Sequence, residues 1–166
     1  MADIGVMTPE EFGSGGERLS APAIGAARML QESNHQFDII DSGSDFGQYA
    51  LLILPDEIPV DSDLAASLEE FVADGGAIVA SYRSGLSPDG AQFNLGGLGV
   101  ELIGPAPYSP DFVVPGELGE GLNDTGHVMY EAGLQVQPVD GAEVLSSMVR
   151  PYFNRTWEHF CSHRHT

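Results

Sequence analysis

The chain has 166 residues, enough for one domain that buries roughly two thirds of the surface its unfolded form would expose. It carries 25 acidic residues against six Arg and no Lys, and this formal charge of -19 excludes nucleic acid, phosphate-rich ligands and anionic membranes as partners of its general surface. The lone Cys161 excludes an internal disulfide, and no run approaches the ~20 apolar residues of a membrane span. The start lacks the basic and apolar regions of a secretory signal, so the expected location is the cytoplasm. Two readings of the acidity stay open: a surface adapted to high salt, or a genome that prefers Arg over Lys.

Taken in order, the apolar run from Asp3 to Thr8 stops at Pro9 and reads as a buried first strand. A Gly/Ser loop at 13–16 follows, and Ser20 is placed to cap a helix over 21–33, with Pro22 tolerated in its first turn and Ile24, Ala27 and Leu30 at helical spacing. Phe37–Ile40 reads as a second strand. Ala50–Leu54 is apolar on both faces, which suits a central parallel strand, and Pro55-Asp56 stops it. Asp61 or Ser62 caps the next helix, over 62–73, in which Leu64, Leu68, Phe71 and Val72 mark the buried stripe and Asp74-Gly75-Gly76 supplies the stop. Ala77–Tyr82 is the fourth strand. Leu52, Ile53, Ile78 and Val79 are the expected centre of the core.

Beyond Gly85 the pattern changes. Residues 86–126 are rich in Gly and Pro, with only Val100–Ile103 strand-like, so a long surface excursion is expected. His127–Glu131, Leu134–Gln137 and Glu143–Val149 alternate well enough to be short strands of an antiparallel extension. The series implies an α/β fold: an open, mostly parallel sheet with helices on both faces, flavodoxin-like in class.

Sites of such sheets gather at the carboxyl ends of the strands, here Thr8–Glu11, Asp41, Pro55–Glu57 and Arg83–Gly85. Ser84 lies where a strand-to-helix elbow presents a nucleophile. No His lies between residues 36 and 126 to activate it, and Ser84-Gly85 reads as a turn. Asp56 and Glu57 are an acidic pair, but neighbours on an extended chain point opposite ways and poorly flank one glycosidic bond. The sequons at Asn123 and Asn154 carry no weight outside a secretory route.

The last segment holds the only Trp, the only Cys and three of the five His. Trp157, His159, Cys161, His163 and His165 share one parity, so a strand there would line them on one face. Alternate residues on a strand stand about 6.6 Å apart, so one zinc ion could take only neighbours such as Cys161 and His163, or His163 and His165, and a complete site would need ligands from elsewhere. Tyr152, Phe153, Arg155, Trp157 and His159 are instead candidates for an interface, where Trp, Tyr and Arg are enriched. The segment is expected to be the point at which a longer polypeptide has been cut.

Three stretches together resemble a known arrangement: Tyr49–Asp56, then Asp74–Ala80, then Arg83-Ser84-Gly85. With Tyr108–Val113, His127–Glu131 and Pro151–Thr166, they are similar to the central, trimerisation domain of family 42 beta-galactosidases, and to the same domain in glycoside hydrolases whose first part is a TIM barrel. The resemblance implies a single domain over 1–166 with the class I glutamine amidotransferase-like fold, taken from a larger glycoside hydrolase. Its implied role is non-catalytic: joining subunits in a homo-oligomer or supporting the barrel, with carbohydrate bound only through the parent and no cofactor. Active amidotransferases of this fold carry a Cys at the elbow, where this chain has Tyr82 or Arg83, so that chemistry does not carry over. Two rival readings stand beside it: an independent amidotransferase-like enzyme using Ser84 or Cys161, and a metal-binding module built from Cys161, His163 and His165.

Overall fold

The computed structural model describes residues 2–13, 20–154 and 156. Its contacts divide the chain into two compact units between Leu98 and Gly99.

The first unit is built on four parallel strands: β1 (Ile4–Met7), β2 (Phe37–Ile40), β3 (Leu51–Leu54) and β4 (Ala77–Ala80), in the order β2-β1-β3-β4. Helix α1 (Ala21–Glu32) links β1 to β2, and α2 (Ser62–Ala73) links β3 to β4. These two links step in opposite directions along the sheet, and right-handed crossovers then require the helices on opposite faces. The packing agrees. Val6 meets Ala26 and Leu30 of α1 on one face, whereas Met7, Leu52 and Leu54 meet Leu64, Leu68 and Phe71 of α2 on the other. Burying each of these larger side chains contributes about 1.5–3 kcal/mol.

Both helices start where the sequence places them. The Ser20 hydroxyl accepts the Ala23 N–H at 3.2 Å, and an Asp61 carboxylate oxygen accepts those of Asp63 and Leu64 at 3.1 and 2.9 Å. At the end of α2, Gly75 adopts a φ of +99°, open to glycine without strain, and lets the Gly76 N–H return to the Phe71 carbonyl at 3.0 Å.

The buried stripes differ from expectation. In α1 they are Ala23, Ala26 and Leu30, with Ile24 left 49% exposed; in α2, Ala65 is buried and Val72 is not. The buried positions are those that face the one sheet face each helix covers, Val6 for α1 and Met7, Leu52 and Leu54 for α2. The expected core centre is also corrected: Leu52 is fully buried, Ile53 and Ile78 are half-buried, and Val79 is 52% exposed. Among the described residues β4 pairs only with β3, so its outer edge is free, and Val79 lies on the face away from α2.

The second unit is antiparallel. β5 (Val100–Pro105) pairs with β8 (Leu134–Pro138), and β6 (Asp111–Val114) lies between β7 (His127–Met129) and β9 (Ser147–Val149). The expected excursion over 86–126 therefore holds two strands, and the expected strand over 143–149 shrinks to its last three residues. The later strands do not extend the parallel sheet; they form two small sheets of their own.

Candidate functional site

The carboxyl ends of the four parallel strands are occupied by short polar side chains that tie neighbouring loops together. After β1, Glu11 takes the Ser42 N–H and hydroxyl on its two carboxylate oxygens, each at 2.7 Å. After β2, the Ser44 hydroxyl donates to Asp41 at 2.8 Å. After β3 and β4 the tie is reciprocal: the Ser81 hydroxyl donates to Asp56 at 2.6 Å and accepts the Asp56 N–H at 2.9 Å. Asp56 and Tyr82 both sit at positive φ, +53° and +50°, an arrangement costly for residues with a Cβ and sustained here because the Arg83 N–H holds the Asp56 carbonyl at 2.8 Å.

Beyond these turns the two loops are zipped together. The Ser84 hydroxyl accepts the Ile58 N–H at 3.1 Å and is 1% exposed; Gly85 N–H donates to Ile58, and Val60 N–H to Leu86. Asn94 closes the far side through its side-chain amide, which donates to the Val60 carbonyl at 2.8 Å. Ser84 is thus consumed in folding and has no access to a substrate. Asp56 is engaged with Ser81 while Glu57 stands exposed at a separate cleft, so the two carboxylates do not assemble as an acid and base pair. Tyr82, at positive φ just beyond β4, is 45% exposed.

That cleft, of about 180 Å3, opens between the loops that follow β3 and β4, and Glu57, Pro59, Arg83, Leu86, Ser87 and Pro88 line it. The sequence names the strand ends that build it but not the meeting of Glu57 with Arg83 and Ser87, which depends on the register of β3 against β4. At the opposite, amino end of the sheet, Tyr49 donates to Asp38 at 3.3 Å, and desolvation together with the Asp38 charge raises its pKa.

Of the interface candidates, Tyr152 is 75% exposed and Phe153 half-buried, while Asn154 accepts the Ser109 N–H at 3.1 Å. Arg155, Trp157, His159, Cys161, His163 and His165 lie outside the described residues. Among the described residues no group of three or more His, Cys, Asp or Glu is placed to hold a metal ion, and no helix is long and apolar enough to cross a membrane.

Residues 28–103 match the family model of the beta-galactosidase trimerisation domain. The match takes in 76 of the 166 residues, a little under half of the chain. The match to the trimerisation domain runs from within α1 through β4 and the cleft into β5, and it bears out the resemblance carried by Tyr49–Asp56, Asp74–Ala80 and Arg83-Ser84-Gly85. Among curated proteins, beta-galactosidase BbgII of Bifidobacterium bifidum is 29% identical over 129 residues, 72% of this chain and 18% of that protein. Beta-galactosidase GalA of Bacillus licheniformis is 32% identical over 93 residues, 54% of this chain and 14% of that protein. Among solved structures, alpha-L-fucosidase isoenzyme 2 of Paenibacillus thiaminolyticus is 38% identical with a TM-score of 0.85, covering 99% of this chain and 26% of that one. The beta-galactosidase of Bacillus circulans sp. alkalophilus shares the fold, at 22% identity and a TM-score of 0.71 over 92% of this chain and 25% of that one. This chain therefore spans about a quarter or less of the relatives it matches.

Proposed function

We propose that this chain is the non-catalytic assembly domain of a larger glycoside hydrolase, joining subunits or supporting a catalytic barrel carried by the same polypeptide. The observation that carries the reading is the trimerisation-domain match across 28–103, together with relatives several times longer than this chain. The strand ends support it from the other side: Ser84 is buried and bonded to the Ile58 N–H, and Asp56 is turned to Ser81 while Glu57 stands at a separate cleft, so they assemble no activated nucleophile and no acid and base pair. We assign part of the docking surface to the segment that begins at Tyr152, because Tyr152, Phe153, Trp157 and Phe160 can each bury about 150–250 Å2 and Arg155 stands among them. Cytoplasmic residence belongs to the same reading, since a single Cys and an apolar core that needs no disulfide suit a reducing compartment.

Sedimentation velocity tests the proposal directly. A trimer that Arg155→Ala with Trp157→Ala dissociates is expected, with no turnover of aryl glycosides or glutamine by the chain. A monomer at every concentration would overturn the subunit-joining role and leave support of the barrel, and turnover abolished by Ser84→Ala would overturn the non-catalytic reading as a whole.

A second reading concerns the sugar of the parent. The fucosidase shares 38% identity over 99% of this chain, against 22% over 92% for the beta-galactosidase structure, and this favours a parent that acts on alpha-L-fucosides. Assay of the full-length parent on paired aryl fucosides and aryl galactosides decides between them.

A further inference from the structure

We infer that the cleft between the loops after β3 and β4 binds a single neutral sugar unit. The inference rests on the glycoside hydrolase reading for its choice of sugar and on the cleft itself for everything else.

The cleft lies outside the carboxyl ends of β3 and β4, on the side of the sheet where ligands of open parallel sheets bind and one strand along from the switch point between β1 and β3. Its lining combines Arg83 and Glu57 with apolar walls from Pro59 and Pro88, while the Ser87 hydroxyl at its rim is taken up within its own turn by Asp89, Ala91 and Gln92. Arg83 offers donors only and Glu57 acceptors only, so the groups they satisfy together are hydroxyls, each of which donates and accepts. The C–H faces of a sugar ring suit the apolar walls.

Charge and size remove the competing ligands. Glu57 in the lining and a net charge of -19 oppose a phosphate or a free carboxylate, despite Arg83. At about 180 Å3 the cleft is below the roughly 300–1,000 Å3 of sites for drug-sized ligands and accommodates one ring rather than a nucleotide.

The site is also held ready. Among the described residues the only ion pair is Arg28 with Glu32, so the Arg83 guanidinium is not engaged by a carboxylate within salt-bridge distance. Its backbone is fixed to Asp56, and the next turn is closed by Ser87 N–H to Gln92 at 2.8 Å and by Gly90 N–H to Ser87 at 2.7 Å. A fixed turn reduces the entropy lost when a weak ligand is taken up.

The test is titration of the chain with L-fucose, D-galactose and, separately, acetate, followed in its amide proton-nitrogen spectrum. Saturable shifts confined to residues 57–59 and 83–90 are expected with at least one sugar and not with acetate. Arg83→Ala and Glu57→Gln should each weaken sugar binding about tenfold or more, with the remaining spectrum unchanged as the control for folding. Sugar-induced shifts that are absent, that lie elsewhere, or that persist at full strength in both variants overturn the inference, as does saturation by acetate alone. Sedimentation of the same samples separates the two proposals, because loss of the trimer with sugar binding intact defeats only the assembly reading, and the reverse defeats only this one.

Discussion

The two units are held together in different ways. In the unit that ends at Leu98, Met7, Leu52, Leu54, Ile58, Val60 and Leu68 are all fully buried, and two helices cover the two faces of one sheet. In the unit that begins at Gly99, no large apolar side chain among the described residues is fully buried, Phe112 coming nearest at 7% exposure, and all three residues of β9 are exposed. The first unit is stabilised by burial, and the second by backbone pairing between short antiparallel strands. Short strands without a covered face are marginal in water, so the second unit should open at lower free energy than the first. Its apolar side chains, among them Met129, Met148 and Val149, stay available to other surfaces.

The largest separation between the units should come from Leu68→Ala. The side chain lies in α2 with no exposure, and its truncation is expected to cost about 2–5 kcal/mol, measured by urea unfolding followed at amides of β3. Next is Ser84→Ala, which leaves the buried Ile58 N–H without its acceptor and should cost about 1–3 kcal/mol in the same measurement. Retention of full stability in Ser84→Ala would show that the two loops do not depend on this bond. Met148→Ala in β9, at a side chain 48% exposed, should change stability by no more than about 0.5 kcal/mol. A loss comparable to that of Leu68→Ala would erase the contrast between the units.

The fourth expectation concerns pH. The Tyr49 phenol has its pKa raised above the ordinary value of 10.0 by desolvation first and by the charge and hydrogen bond of Asp38 next. The folded state therefore holds this proton more tightly than the unfolded chain. The contribution is complete below the unfolded pKa and is lost as pH rises from 10.0 through the raised folded value. Tyr49→Phe should flatten this alkaline loss in the first unit and leave the second unit's pH response unchanged, as read by melting temperature between pH 9 and 12.

The first unit was largely legible from sequence because its signals are local. Ser20 and Asp61 are caps, Gly75 is a left-handed stop, and the Leu51–Leu54 run is flanked by turn residues. What local signals could not supply was the order of the strands. Val79 looks as apolar as Ile53, yet β4 lies at the edge and β3 between two neighbours, and this difference leaves Val79 half in solvent. The second unit was less legible for the complementary reason. β6 is four residues between turns, and its pairing with β7 and β9 joins segments far apart in sequence, so no periodicity announces it. The cleft shares that difficulty: Glu57 and Arg83 are brought together by strand register rather than by a motif.

Among the described residues the outer edge of β4 has no strand partner, and this bears on how the protein behaves in bulk. Ala77–Ala80 carries no charge, proline or bulge, the devices by which strands at the margin of a sheet usually prevent unwanted growth of the sheet. Nothing within the strand prevents a second chain from hydrogen-bonding to it. The protection comes instead from long-range repulsion: at neutral pH, copies of -19 each keep one another at a distance, and salt shortens that distance. Colloidal stability is therefore delegated to the whole surface, and it is lost in acid, where the carboxylates are neutralised while the bare edge is left as it was.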